Sequence, residues 1–534
     1  MGSVITGSPS VASEVRDAIF KELYRHVSNI DGNDRHEKTS GLEKKWLVGI
    51  YRDRDFEPIW LDDGKLNSEG LIAVTALLNA DLDGLNPENY HTRELASYQR
   101  SDDQRQLALL DLTITNGFLR YSSDIGTGRS SARLAFPELF PEAGSAMFEP
   151  ADALARAKAS DGLDAYFKAL QPQHRYYQQL KDELAEYRKI ERLGGYPQIG
   201  AGETLHPGEN DARVPLFRQL LTIVGDLDQN TETGNHYDRH TVEAVKRFQR
   251  RHDLDPDGIV GRRTVAEMNV PVSVRIEQII LNLERWRWHD HKLGDTYVLV
   301  NIAGFDLKAV KMGRLELEMP VIVGQQRHES PVFSDRIRYV EFNPFWTLTP
   351  HIARTETLIH LRQDPEYLEK KHIRLFSNWG HEAVELDPAS IDWNSVSPRG
   401  MNSYKLRQDP GEWNALGTMK FIFPNKYSVY LHDTPNHDLF GASSRAFSHG
   451  CIRLSDPAAL AIFLLDGQRG EWDRERVGGI VQSEERTIVT LVDRIPVHLT
   501  YLTAWHDEDG LLRFSEDIYN RDARLQKALS GKQW

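Results

Sequence analysis

The chain contains a single cysteine, Cys451, among 534 residues. One cysteine cannot form an internal disulfide, so a disulfide framework is excluded and each domain must be stabilised by its own apolar core. The length exceeds what one ordinary core supports, which predicts about two to four domains. Hydrophobic residues make up 40% of the chain and charged residues 27%, a balance typical of globular domains.

Charge and hydropathy exclude some classes of partner. No apolar run approaches the roughly 18 residues of a membrane helix, so we predict a soluble chain without a transmembrane segment. A net charge of −14 with dispersed basic residues argues against nucleic acid. Residues Met1–Thr6 match an N-myristoylation pattern, but a Met-Gly-Ser start is more typical of a cloning remnant. We expect any secretory signal to have been removed or never included.

The surroundings of the cysteine favour a reactive thiol. It lies in the stretch Ser448-His449-Gly450-Cys451-Ile452-Arg453-Leu454. Polar and cationic neighbours, a small residue and nearby backbone N–H groups are what a thiolate needs, although most free cysteines are buried and inert. His432 lies nineteen residues upstream, after the β-rich run 427–431, and the intervening segment is rich in Pro, Gly and Ser, as surface loops are. We therefore predict that His432 lies beside the Cys451 thiol.

These residues resemble the signature of the YkuD-type L,D-transpeptidases. That signature is a histidine, a spacer of about fifteen residues, Ser/Thr-His-Gly-Cys, and an Arg or Asn. The spacer here, Asp433 to Phe447, has fifteen residues, and Arg453 takes the last place, so the match is complete. Similar segments elsewhere indicate the long, YcbB-like branch of the family; they are residues 343–346, 406–411, 414–417 and 420–425.

The resemblance implies a peptidoglycan cross-linking enzyme of the cell envelope or periplasm. Its partners would be stem peptides and glycan, and it would form 3-3 cross-links through a thioester on Cys451, with no cofactor or metal. His432 would shuttle the proton as an imidazole that titrates near neutral pH. The backbone N–H groups of Gly450 and Cys451 would bind the oxyanion, His449 would shape the loop or the oxyanion hole, and Ser448 would position a histidine. Arg453 would orient a substrate carboxylate. The walls of the substrate site would be formed by Tyr430, Asn343 and Trp346.

Other interpretations stay open at this point. An L,D-carboxypeptidase would use the same residues with water as the acceptor, and a non-catalytic scaffold would only bind the cell wall. A papain-like protease is disfavoured because its cysteine precedes its histidine in the chain. His289 and His291 are the nearest to a metal-ligand pair, but they lack an evident third ligand. The sequence leaves the acceptor and the oligomeric state open.

The predicted fold class is α+β and multidomain. Helical patterning predicts a helical domain over residues 11–205, and this stretch resembles the N-terminal scaffold of the YcbB-like proteins. Residues 206–272 resemble a small three-helix peptidoglycan-binding module, because Phe248-Gln249 is followed by an Asp-Gly turn and a Gly-x-x-Thr step. Asp253, Asp255 and Asp257 also fit the start of an EF-hand loop, but its twelfth position holds Thr264, where calcium needs a bidentate carboxylate.

Strand patterning from Tyr297 predicts a mainly β catalytic domain over residues 273–520, followed by a C-terminal tail at 521–534. Late strands are expected at 487–492 and 497–502, and a helix at 457–465 capped by Asp456. Residues 355–404 interrupt this pattern as a helical insertion. In the long branch this place holds a substrate-capping subdomain, and a lid that excludes water would favour aminolysis over hydrolysis. Alternatively, the insertion only stabilises the domain.

Overall fold

The computed structural model describes residues 11–24, 46–129, 148–228, 234–289, 291–468 and 470–530. The chain forms two compact units. The first unit comprises residues 1–292, 503–514 and 521–534, and the second comprises 293–502 and 515–520. The N-myristoylation pattern at Met1–Thr6 lies outside the described residues. In the described ranges, no helix is both long enough and apolar enough to cross a membrane.

The first unit is helical, as predicted for its N-terminal region. Its helices are Val11–Tyr24, residues 46–52, Ser68–Leu78, Thr92–Tyr98, Gln104–Thr127, Pro150–Ala159, Leu163–Leu170, Arg175–Arg192, Val214–Ile223, Arg239–Arg251, Arg262–Met268, Val272–Trp288 and Arg521–Leu529. Two small hairpins pair Leu61–Asp62 with Lys65–Leu66 and Ala504–His506 with Leu512–Phe514. The residues predicted as a C-terminal tail thus contain a helix, whose Leu525 is buried against Leu281 and Trp288.

A buried carboxylate organises the helix Val272–Trp288 of this unit. Glu284 is fully buried and accepts hydrogen bonds from the backbone N–H of Arg129 at 2.6 Å and from the guanidinium of Arg287 at 3.1 Å. The indole N–H of Trp288 also donates to it at 3.2 Å. Burial raises the pKa of Glu284, but the two arginines outweigh burial and the pKa is lowered overall. The ionised carboxylate therefore links Arg129 to Arg287 and Trp288 within this unit.

The resemblance of residues 206–272 to a three-helix module has a structural basis in Gln249. Its side-chain oxygen accepts from the Gly258 N–H at 2.8 Å, and its amide nitrogen donates to Asp257 at 2.9 Å and to the Ile259 carbonyl at 3.0 Å. Gly258 has φ +75°, a conformation that favours glycine. Gln249 thus holds the Asp-Gly turn against the helix Arg239–Arg251, and the Asp257 carboxylate accepts one of its hydrogen bonds.

The second unit is built on a nine-stranded mixed sheet. In spatial order its strands are Ala446–Ser448, Arg314–Gly324, Ile452–Leu454, Leu431–His432, Met419–Ile422, Phe333–Phe342, Thr487–Thr500, Thr296–Asn301 and Asp306–Lys311. Arg314–Gly324 also pairs with Asp306–Lys311, so the sheet closes on itself. The two late strands predicted at 487–502 are one strand, Thr487–Thr500, with a register shift between Thr490 and Ile495.

Two helices complete the core of the second unit. Pro457–Leu465 begins where predicted, because the Asp456 carboxylate accepts from the Ala459 N–H at 2.9 Å. Arg474–Gln482 follows it, and Val477 joins Leu460 and Leu464 in the same apolar core as the sheet. The same core includes Leu431, Ile452 and Leu454 of the two strands next to the cysteine.

The insertion is more than the helical excursion that the sequence predicts. Its helices are Pro350–Ile352, the π-helical turn Ala353–Thr357, Leu358–Gln363 and Tyr367–Lys370. It also has a four-stranded sheet in the order Trp346–Thr347, Lys405–Gln408, Ile373–Phe376 and Glu385–Leu386. Buried Leu358, Leu361, Leu368 and Leu406 give it a core of its own. The helical description is therefore incomplete, because strands this short carry little periodic signal.

Candidate active site

Two neighbouring strands bring the predicted cysteine and histidine segments together. Leu431–His432 and Ile452–Leu454 pair in parallel, with Leu431 opposite Ile452 and His432 opposite Arg453. Alternate residues of a strand face the same side. Tyr430 therefore comes next to Cys451, and its hydroxyl shares a hydrogen bond with the thiol.

Cys451 is half-buried. Burial raises its pKa above the ordinary value, and hydrogen bonds from Tyr430 together with the charges of Lys420 and Arg453 offset only part of that rise. A thiol of this kind is a weak nucleophile until a base removes its proton.

His432 is a buried imidazole in the state that a base requires. Its Nδ1 lies 2.5 Å from the carbonyl oxygen of Asp433. A carbonyl only accepts, so Nδ1 carries the proton, and a second backbone hydrogen bond, to Leu416, also acts on the ring. Burial, followed by the positive charge of Arg453, lowers the pKa of His432 to about 3. The expectation of an imidazole that titrates near neutral pH is therefore wrong for this resting state.

Asp433 fixes the backbone that orients His432. Its carboxylate accepts from the Thr418 N–H and hydroxyl, each at 2.8 Å, and from the Thr434 N–H at 2.7 Å. Gly417 has φ +59°, and a Cβ there would lie 2.4 Å from the Asp433 carboxyl carbon. Glycine is thus required at 417 for Asp433 to hold this position.

A short hydrogen-bonded turn carries the cysteine. The Ser448 hydroxyl donates to the Cys451 carbonyl at 2.5 Å and accepts from the Gly450 N–H at 3.0 Å. Ser330, from a distant segment, donates to the Gly450 carbonyl at 2.8 Å. Ser448 therefore braces the turn instead of positioning a histidine. Gly450 has φ +110°, which disfavours any other residue.

The two predicted oxyanion donors differ in availability. The Gly450 N–H is engaged with Ser448 in this state. The Cys451 N–H bonds to no acceptor within the described ranges. Only the latter is free to meet a developing negative charge on a reacting carbonyl.

Arg453 is a half-buried cation beside this pair. Its Nε has no hydrogen-bond partner, and the guanidinium forms no ion pair with a carboxylate of the described part of the chain. Burial lowers its pKa, because water is removed from the charge without a protein anion to replace it. This arrangement suits an anion supplied by a ligand.

Family models match three segments of the chain. They are described as "Scaffold domain" over residues 45–184, "Putative peptidoglycan binding domain" over 210–268 and "L,D-transpeptidase catalytic domain" over 295–471. Residues 295–471 form a YkuD-type L,D-transpeptidase catalytic domain.

The chain is also similar to individual known proteins. A Haemophilus influenzae protein named "Putative L,D-transpeptidase" is 33% identical over 304 residues, which are 57% of this chain and 56% of that protein. The chain thus spans little more than half the length of this curated relative. One similar solved structure is an L,D-transpeptidase from Mycobacterium smegmatis, at 13% identity; the match covers 39% of this chain and 58% of that chain, with a TM-score of 0.18. Another is the L,D-transpeptidase from Xylanimonas cellulosilytica, residues 123–326, at 14% identity; the match covers 56% of this chain and 98% of that chain, with a TM-score of 0.19.

Three residues predicted for the site of this L,D-transpeptidase domain have other contacts. His449 lies in the nucleophile turn, but its Nε2 is 2.7 Å from Glu356 in the insertion. Asn343 is buried, and its amide donates to the carbonyls of Ile480 and Glu485 at 2.9 and 3.1 Å. Trp346 packs against the insertion core. The side chain of Asn343 therefore fixes a loop, whereas Tyr430 is the predicted wall residue that meets the thiol.

The sequence prediction missed Lys420. In the register of the sheet it lies opposite His432 on one side and Glu341 on the other. Its ammonium stands 3.9 Å from the centre of the Tyr430 ring. Burial lowers its pKa, while the charges of Glu341 and Cys451 act in the opposite direction. The alternation of buried Met419 and Phe421 could have placed Lys420 on the other face, but only the strand pairing shows which residues it meets.

Replacing Lys420 by methionine is expected to make Cys451 less reactive. Loss of the nearby positive charge raises the pKa of the thiol further, so the pH profile of alkylation by iodoacetamide should shift to higher pH. At neutral pH the rate should fall by up to about tenfold, the effect of a one-unit rise in pKa. Lys420→Arg should keep the wild-type profile.

Lys426→Met is the matched control, because Lys426 also stacks over a tyrosine, with its ammonium 5.1 Å from the Tyr427 ring centre, whereas Lys420 and Arg453 are the cations that shift the pKa of the thiol. An unchanged profile in Lys420→Met would contradict the electrostatic role.

Proposed function

We propose that the chain is a peptidoglycan L,D-transpeptidase that forms 3-3 cross-links between stem peptides through a thioester on Cys451. The observation that carries the proposal is the pairing of two strands, which brings the segment of the Cys451 thiol beside that of His432, whose Nδ1 bonds a carbonyl. Arg453, two residues after the thiol, has no carboxylate partner within the described ranges. Nucleophile, base and anion anchor are together the parts that acyl transfer to and from a peptide requires.

The first half of the reaction is acylation of Cys451. His432 Nε2 takes the thiol proton as Sγ attacks the carbonyl carbon between diaminopimelate and the terminal D-alanine of a donor stem. The C–N bond then breaks, and the same proton returns to the leaving amine of D-alanine. Because both groups start neutral, deprotonation accompanies attack, and Tyr430, Lys420 and Arg453 stabilise the thiolate character that develops.

The tetrahedral intermediate places negative charge on the former carbonyl oxygen. The free N–H of Cys451 is the available donor in this state. One such donor commonly stabilises the transition state by about 3 kcal/mol. Rotation of the Ser448 hydroxyl would release the Gly450 N–H as a second donor. The turn is therefore arranged to stabilise the intermediate more than the substrate.

Arg453 would orient a carboxylate of the donor stem. Its guanidinium is held opposite His432 and two residues from the thiol, so a bound carboxylate lies close to the reacting carbonyl. A planar guanidinium binds a carboxylate through two parallel hydrogen bonds, which fixes direction as well as distance. The terminal carboxylate of the tetrapeptide stem has this chemistry.

In the second half, the side-chain amine of another diaminopimelate attacks the thioester. His432 accepts the amine proton and passes it to the sulfur of Cys451 as the C–S bond breaks. Water competes with this amine. The insertion reaches the nucleophile turn through the contact between Glu356 and His449, which supports a role in covering the acyl-enzyme. The segment that matches a peptidoglycan-binding model supports glycan as a further partner, and the cell envelope or periplasm as the location.

Product mass spectrometry tests the proposal. The protein is mixed with purified disaccharide-tetrapeptide, alongside Cys451→Ala. A cross-linked dimer that lacks one D-alanine, formed only by the unmodified protein, is the expected product. Tripeptide alone would assign the chain as an L,D-carboxypeptidase, and the absence of any cysteine-dependent product from folded protein would overturn the enzymatic proposal.

A further inference from the structure

A second cluster of ligand-type side chains lies beside the nucleophile turn. It consists of His328, Glu356 and His449, and one ligand atom of each lies within 4.8 Å of the others. The Nε2 of His449 is 2.7 Å from Glu356, and the rings of His328 and His449 are 4.9 Å apart between centres. None of these contacts has a part in the proton transfer proposed for Cys451.

The three side chains come from separate segments. His328 ends the short 3-10 helix Gln326–His328, and His449 precedes Gly450 in the nucleophile turn. Glu356 lies in the π-helical turn Ala353–Thr357 of the insertion. Single π-helical turns are rare and occur frequently at functional sites. This turn aims the carboxylate at the two imidazoles.

We propose that His328, Glu356 and His449 bind a divalent transition-metal ion of the zinc class. Two imidazoles and one carboxylate are a donor set that Zn²⁺ accepts, with the fourth position left to water or another ligand. Ligand atoms that are each about 2 Å from one ion lie about 3.3 Å apart, so modest side-chain rotations close the present arrangement. All three residues are partly or fully accessible, which gives an ion a route from solvent.

A bound ion would join the insertion to the nucleophile turn. Glu356 belongs to the insertion, whereas His449 stands two residues before Cys451. The present contact between them is a single hydrogen bond at half-exposed side chains, which by itself contributes little. Coordination would replace it with bonds through one ion, so that metal binding and the position of the insertion become linked.

Zinc binding to the full chain carrying Cys451→Ala tests this site, because that variant lacks the thiol, the other zinc ligand nearby. Equilibrium dialysis with Zn²⁺ should give one bound equivalent per chain. Glu356→Gln and His328→Ala should each weaken zinc binding by about tenfold or more, because mutation even of the groups that support metal ligands commonly lowers metal affinity by that factor. Co²⁺ in place of Zn²⁺ should show visible absorption that both variants lose.

His360→Ala is the matched control, since His360 is an exposed histidine of the same insertion that stacks on Tyr367 outside the cluster. It should bind zinc as the Cys451→Ala protein does. The proposal would be overturned if the Cys451→Ala protein bound no zinc, or if Glu356→Gln and His328→Ala bound zinc as tightly as it does. A loss of zinc binding in His360→Ala as large as in those two variants would also overturn it. The test needs no catalytic turnover, so its result is independent of the proposed transpeptidation.

Discussion

Replacing Cys451 by serine is expected to abolish the acyl-enzyme and all product. A serine hydroxyl is far less acidic than a thiol, and a His432 whose pKa is about 3 is too weak a base to activate it. Serine is close to cysteine in size, and Ser448 bonds the backbone of the turn rather than the thiol, so the turn should keep its geometry. Loss of activity in this variant would therefore result from the missing thiol nucleophile and not from misfolding.

Intact-protein mass spectrometry after brief mixing with disaccharide-tetrapeptide measures this effect. The unmodified protein should gain the mass of the donor acyl group, whereas Cys451→Ser should gain nothing and retain the wild-type melting temperature. Ser444→Ala, at an exposed position in the loop between His432 and Cys451, should acylate normally. A covalent adduct of the same mass on the serine variant would refute Cys451 as the nucleophile.

The core of the candidate site was predictable because its signal is local. His432, Ser448, Gly450, Cys451 and Arg453 all fall within 22 residues, and the parallel pairing of their two strands follows from the loop that joins them. Lys420, Ser330 and Glu341 were not predictable in the same way. Their contacts depend on which strands become neighbours in a closed sheet, and that order is set by non-local packing that periodicity does not encode.

The same distinction explains the fold. The helix Pro457–Leu465 was predictable from its Asp-Pro start, because an N-cap is a chemical feature of adjacent residues. The sheet of the insertion was not, since two of its strands have only two residues each. Nor does sequence reveal that His432 is buried between two cations, and burial together with these charges lowers its pKa below that of an ordinary histidine.

Replacing His432 by glutamine is expected to lower kcat/KM for acylation by about 10²–10⁴, the usual contribution of a positioned general base. The pH profile separates this role from a structural one. A base must be unprotonated to act, so in the wild type the acidic limb should appear only as pH falls towards the His432 pKa of about 3, with no loss between pH 7 and 5. Without the base, only pre-formed thiolate reacts, and because burial raises the pKa of Cys451 the residual rate should climb steadily with pH.

His437→Gln provides the control, because His437 is an exposed histidine that also approaches Asp433, at 3.5 Å. It should leave both the rate and the profile unchanged. A thiolate–imidazolium pair would behave differently: its rate would fall through an acidic limb near neutrality, and His432→Gln would flatten rather than steepen the dependence on pH. The lowered pKa of His432 and the raised pKa of Cys451 thus predict a neutral pair, which follows from the burial of the imidazole beside Arg453. Measurement of the acidic limb decides between this pair and the thiolate–imidazolium form.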